Sequence, residues 1–206
     1  MKGLLLKDWY LTIKYGRMLL LFALIYAAMG MFSPEFGAFT TLPVMLVGLL
    51  PNTIYAYDER EKWTTYVRAL PVTDAQYVTE KYLYGTICLT VYFVVLTIAN
   101  LIARTEGYAA IFMTLFAIGL LSPSILMPFM FRFGTEKGRI AYIIAFAAMI
   151  SATVTIVNLG NSRNTALLVS RLGMPGWSVC LIALALYVLS WRLSIVLYRN
   201  RKNSGK

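Results

Sequence analysis

An all-α polytopic membrane protein is the fold class this sequence predicts: six transmembrane helices, an N-terminal interfacial helix and a cytoplasmic helix between the second and third spans. Three observations predict it. Of 206 residues, 59% are apolar and 14% charged, whereas soluble domains carry about 25% charged residues. Six apolar runs, 13–32, 36–57, 82–103, 108–131, 140–158 and 177–198, each approach the roughly 20 residues a helix needs to cross the hydrocarbon core. With the N-terminus inside, 16 of the 19 Lys and Arg residues fall on inner segments, and Arg104, Arg163 and Arg171 fall outside. This positive-inside partition puts both termini in the cytoplasm. It also accounts for the net charge of +10 through topology and anionic lipid, with no need for nucleic acid. The whole chain, 1–206, reads as a single transmembrane domain.

Residues 1–12 predict an interfacial helix. Leu5, Leu6, Trp9, Tyr10 and Ile13 share one face, and Lys7, Asp8 and Lys14 share the other, while Leu4 and Leu11 interrupt the stripe. Such a helix rests at headgroup depth on its aromatic side; a plain continuation of the first span is the other reading. Lys14 and Arg17 lie inside the inner end of span 13–32 and must snorkel. A signal peptide cleaved near Ala27 and Ala28 is disfavoured, because five further apolar runs follow without a large soluble outer segment. Ser33, Pro34 and Glu35 alone join spans one and two, which requires a tight hairpin. Pro43 and Pro51 interrupt span two, and Pro123 and Pro128, beside Ser122 and Ser124, interrupt span four. Each proline frees a backbone carbonyl that a neighbouring helix must satisfy. Pro43, Gly48, Pro51 and Asn52 give span two a small or polar face, a candidate dimer interface or pathway lining.

The inner connector 58–81 holds nine charged residues in 24 positions, far more chain than antiparallel helices need between them. Trp63, Tyr66, Val67 and Leu70 recur at helical spacing, with Thr64, Thr65 and Arg68 turned away. Pro71 ends that helix. Thr73 and Gln76 form a capping-box pattern with Asp74 in the first turn, so a new helix starts there and runs into span three. Asp58, Glu59 and Glu61 gain nothing from an anionic leaflet but would gain from basic residues on a protein partner. The connector therefore reads as a docking surface, with a helix resting on lipid as the alternative. The second inner loop, 132–139, is short and rich in Gly and charge. In the outer segment 159–176, residues 165–172 read as a short surface or re-entrant helix. Arg199, Arg201 and Lys202 make a solvated basic anchor.

Histidine is absent from the sequence, which removes the commonest proton shuttle and metal ligand. All nine acidic residues map to loops or helix ends, a pattern that disfavours an ion-coupled transporter, since that class usually needs an ionisable group at membrane depth. Cys88 and Cys180 lie on different spans and read as apolar fillers. Residues 134–139 read G-T-E-K-G-R and lack the spacing of a phosphate-binding loop. No catalytic residue, cofactor or metal site is expected in this chain. Its work must be powered from outside.

Together these features resemble the membrane subunits of ABC-type-two exporters. The likeness covers the whole chain in layout and about 25 residues in motif: Tyr57-Asp58-Glu59-Arg60-Glu61-Lys62-Trp63, then Ala69-Leu70-Pro71-Val72-Thr73, then Glu80-Lys81-Tyr82. The resemblance implies a permease that pairs with a second or related copy around a substrate path in a bacterial cytoplasmic membrane. It also implies an ABC ATPase subunit that binds ATP and Mg. Asp58, Glu59, Arg60, Glu61, Lys62, Trp63, Tyr66, Val67 and Leu70 would then couple the permease to that ATPase. Exporters lacking a large outer domain suggest an amphipathic peptide or small amphiphile as substrate. A non-transporting scaffold or peptide-immunity protein, or an ion-coupled transporter, are the competing readings.

Overall fold

A computed structural model describes residues 2–31, 36–67, 71–103, 108–160 and 176–204. The described residues are helical apart from short turns and contain no strand. In chain order they form α1 (Lys2–Leu11), a wide π-helical stretch (Thr12–Gly16), α2 (Arg17–Met31), α3 (Phe36–Gly48), α4 (Leu50–Arg60), α5 (Trp63–Val67), α6 (Asp74–Ala103), α7 (Tyr108–Gly160) and α8 (Gly176–Ser204).

Four helices among the described residues are long and apolar enough to cross a membrane: Phe39–Arg60, Asp74–Leu101, Phe112–Thr135 and Trp177–Arg201. A fifth arises if the pair Gly3–Gly16 and Leu20–Gly30, bent by 71°, is one broken span. That bend corrects the expected start of the first span. Ile13 and Lys14 belong to the N-terminal helix, and the straight spanning segment begins beyond Gly16. The expected span 140–158 lies within the second half of α7, which is helical to Gly160. The hairpin 33–35 and the segment 161–175 lie outside the described residues.

Span two, built from α3 and α4, is the centre of the bundle, with 67% of its residues buried against 17% for α8. Backbones meet there through small residues. A Cβ on Gly48 would sit 2.9 Å from the Gly119 carbonyl oxygen, and one on Gly85 would sit 2.9 Å from the Pro51 ring. Ala23 and Ala27 of α2 join Val44, Val47, Leu89, Phe93, Leu96 and Leu120 in one core. This close approach is how helices associate where lipid is as apolar as their own side chains. Met18, Leu21, Phe22, Ile25 and Met29 on α2, and Val94, Ile98 and Leu101 on α6, point outward, as a lipid-facing surface requires.

One proline, Pro128, shows the freed carbonyl that the sequence predicts. Pro128 cannot donate to the Ser124 carbonyl one turn back, and that oxygen instead accepts from Ser190 Oγ at 2.6 Å. Tyr82 Oη then bridges Ser190 and Ser194 at 2.8 and 2.7 Å, tying α6 to α8. Pro51 stands in the first turn of α4, where its missing N–H costs least.

α7 is two helices meeting at a single residue, Gly134 (φ 80, ψ 177). The expected loop 132–139 is thus a one-residue break, made possible because glycine adopts positive φ without a Cβ clash.

Candidate functional site

The end of the molecule where α1, α4, α5 and the start of α6 converge carries the charged residues of the connector. α6 begins on the expected capping box: the Gln76 N–H donates to Thr73 Oγ1 at 3.2 Å, and the Thr73 N–H donates to Gln76 Oε1 at 3.0 Å. α4 stops at Arg60, where the Glu61 N–H reaches back to the Tyr57 carbonyl at 2.9 Å and Lys62 turns left-handed (φ 54). The next helix, α5, is one short piece, Trp63–Val67.

Beneath this turn lies a buried ion cluster. Lys81, wholly buried, contacts Asp8 Oδ2 at 2.6 Å and Asp58 Oδ2 at 2.7 Å. Lys7 contacts Asp58 Oδ1 at 2.5 Å and Asp8 Oδ1 at 3.1 Å. The Tyr77 hydroxyl donates to Asp58 Oδ2 at 3.2 Å, and Lys7 Nζ lies 4.6 Å from the centre of the Trp63 ring. Three elements, α1, α4 and α6, are thereby joined through charge.

This arrangement shows which side of α1 meets the rest of the chain. The buried residues are Leu4, Asp8, Thr12 and Gly16, a stripe at four-residue spacing, and Thr12 Oγ1 accepts from the Tyr84 hydroxyl at 2.6 Å. Leu6, Trp9, Tyr10 and Ile13 are exposed. Asp8 faces protein, whereas Lys14 and the aromatic side face outward. Leu4, an interruption in the amphipathic pattern, belongs to the protein-facing stripe.

Glu59 makes a second connection. Its Oε1 accepts from Arg201 at 2.5 Å, and its Oε2 accepts from the Thr135 N–H at 2.6 Å. Arg201 also donates to the Tyr55 hydroxyl at 3.3 Å. The carboxylate thus sits at the N-terminus of the helix that follows Gly134, where negative charge is favoured. Arg201 pins the end of α8 to the same point, so it is bound to protein where the sequence suggested a solvated anchor.

The proposed docking residues therefore separate into two groups. Asp58 and Glu59 find their cations inside this chain, which corrects the argument that acids at this end await a partner's basic residues. Val67 is buried in the core with Tyr55, Tyr77 and Phe131, and Trp63 packs against it. Arg60, Glu61, Lys62 and Tyr66 are exposed, Tyr66 by 66%. Leu70 and Arg68 lie outside the described residues. On span two, Pro43, Gly48, Pro51 and Asn52 are all buried, and Gly48 and Pro51 as placed meet α7 and α6 of the same chain. Neither polar atom of the Asn52 side chain has a hydrogen-bond partner.

Comparison with protein families decides what this frame belongs to: the model for the ABC-2 family transporter protein matches residues 3–199. The chain belongs to the ABC-2 transporter family. Comparison with curated proteins and with solved structures returned no match. An ABC-2 protein is the membrane component of an ABC transporter, and its partner is an ABC ATPase. The matched stretch takes in α1 from Gly3 onward, the Asp8–Asp58–Lys81 cluster and Glu59, and it ends in α8 just before Arg201. The asymmetry between a buried Asp58 and an exposed Glu61, three residues later, had a faint signal in the sequence. Asp8 and Lys81 each sit at the boundary of an apolar run, where a charge needs a partner.

Proposed function

We propose that this ABC-2 chain is the permease subunit of an ATP-driven exporter. In this reading it has six spans in a bacterial cytoplasmic membrane, with both termini cytoplasmic. A second permease copy completes the substrate path, and a separate ATPase subunit binds ATP and Mg. The substrate is an amphipathic peptide or small amphiphile. What carries the reading is the junction of an exposed polar and aromatic turn, Arg60, Glu61, Lys62 and Tyr66, with two anchors directly before it, the buried Asp58 and the half-buried Glu59. A partner seated on that turn would displace α4. Through Asp58 the displacement reaches α1 and α6, and through Glu59 it reaches α7 and α8.

In this mechanism the exposed residues touch the ATPase, together with Leu70, which the sequence pattern groups with Tyr66. Asp58, Glu59, Trp63 and Val67 transmit the motion. The unpartnered amide of Asn52, beside Pro51 and one turn from Gly48, supports a polar point on span two where a path would open when the helices part. Aromatic residues are enriched among the few interface positions whose loss costs about 2 kcal/mol or more, and about 1.4 kcal/mol is already tenfold in affinity.

The test is co-purification of the permease with the ATP-binding cassette protein encoded beside it. Glu61→Lys combined with Tyr66→Ala should reduce recovery of the ATPase by about tenfold or more, while insertion and thermal stability stay as in the parent, because neither side chain is buried. Equal recovery would overturn the docking assignment. No recovery of a cassette protein with the parent itself would favour a membrane scaffold, a peptide-immunity protein or an ion-coupled transporter.

A further inference from the structure

α1 is fastened to α6 along one stripe. Lys81 reaches Asp8 at 2.6 Å, and the Tyr84 hydroxyl donates to Thr12 Oγ1 at 2.6 Å just beyond the end of α1. Beside that stripe a groove of about 310 Å³ lies between the two helices, lined by Leu5, Leu6 and Trp9 of α1 and by Tyr84 and Ile87 of α6. Only two of these side chains carry a polar atom. The hydroxyl of the buried Tyr84 is engaged by Thr12, and Trp9 is 47% exposed, with the kind of ring that settles at headgroup level. Leu6 and Ile87 are exposed as well, so the groove opens away from the bundle.

α6 is long and apolar enough to cross the membrane from Asp74 to Leu101, and Tyr84 and Ile87 stand inside its apolar run 82–103. What lies outside the groove is therefore lipid. From Ile87 the exposed side of α6 continues through Val91, Val94, Ile98 and Leu101, the surface that faces hydrocarbon along the span. A peptide segment laid in the groove would leave backbone N–H and C=O groups without partners in that medium, and an ionic ligand would meet no opposite charge among the lining residues. A hydrocarbon chain requires neither. Exposed cations, Lys14 and Arg17, follow Trp9 and Tyr10 in the sequence and suit the phosphate of a lipid headgroup. We propose that the α1–α6 groove holds one acyl chain of a membrane phospholipid.

Such a chain is a ligand for the seated position of α1. Tyr84 serves both sides of the contact: its ring forms a wall of the groove and its hydroxyl holds Thr12. Lifting α1 from α6 removes the wall made by Leu5, Leu6 and Trp9, and with it the site. Whatever binds the seated state alone stabilises that state by mass action. The bilayer itself thereby tightens the joint that carries Asp8 to Lys81.

Phosphatidylglycerol with a diazirine midway along one acyl chain tests the site, using the full chain in nanodiscs that contain this lipid. Illumination followed by peptide mass spectrometry should place adducts on Leu5, Leu6, Trp9 and Ile87 about tenfold more often than on Met18 and Leu21, which are exposed on α2 by 67% and 52%. Ile87→Trp and Leu6→Trp each fill the groove from an exposed position. Either should abolish adducts on the rest of the groove while those on Met18 and Leu21 stay as in the parent. Adducts spread evenly over the groove and α2 in the parent would show ordinary bilayer solvent and overturn the assignment, whether or not the variants insert. Groove labelling that persists in both tryptophan variants overturns it equally.

Discussion

Replacing Lys81 by methionine removes the only wholly buried cation described in this structure and leaves its volume nearly unchanged. Its ammonium sits 2.6 Å from Asp8 and 2.7 Å from Asp58. At an effective dielectric constant of about 20, each such contact is an attraction of about 6 kcal/mol, set against a desolvation cost of several kcal/mol for the ammonium itself. The remaining Lys7 is partly exposed and cannot neutralise two carboxylates. Water entry and protonation limit the loss, so Lys81→Met should destabilise the protein by about 3–5 kcal/mol. Reversible unfolding in mixed micelles, with denaturing detergent as the variable, measures this. The double variant Lys81→Met, Asp58→Asn should recover part of the loss, with a coupling energy above about 1 kcal/mol. A single-variant loss below about 1 kcal/mol, or strict additivity, would show that the cluster is not a connected buried network.

Gly134→Ala should destabilise by about 1–3 kcal/mol, read as a lower thermal unfolding midpoint. Its φ is 80°, and the added Cβ would lie 2.7 Å from Arg201 and 3.0 Å from Glu59. Tyr82→Phe removes the hydroxyl shared by Ser190 and Ser194 and should cost about 1 kcal/mol by detergent unfolding. Arg201→Ala should change global stability by less than about 1 kcal/mol, because the guanidinium is 37% exposed and solvent screens it. Hydrogen exchange at the Thr135 amide, which depends on a positioned Glu59, should accelerate in that variant.

Local signals in this chain were legible, and long-range pairings were not. The capping box at Thr73 and Gln76 is a four-residue pattern with a backbone meaning of its own, and it appears as written. The freed carbonyls of the proline-bearing spans follow from covalent structure, although nothing in the sequence says that Ser190, 66 residues from Ser124, supplies the donor. Lys81 and Asp8 are 73 positions apart, and no local period relates them. Amphipathic reasoning grouped Lys7, Asp8 and Lys14 on one face of α1 but could not tell that Asp8 is buried against protein while Lys14 is exposed. In a membrane the apolar face already has a solvent, and the polar stripe Asp8, Thr12 can turn toward protein. Asp58 and Glu59 looked like free docking groups because the cations that meet them, Lys7, Lys81 and Arg201, are distant in sequence.

The assignment of the exposed turn as the contact with the ATPase is tested most directly by site-specific photocrosslinking in native membranes. A photoreactive residue at Lys62 or Tyr66 should form an adduct whose second component is an ABC ATPase by mass spectrometry, and the same residue at the outward-facing Leu101, 72% exposed on α6, should not. Adducts with that ATPase from Leu101, or none from either position on the turn, would contradict the account.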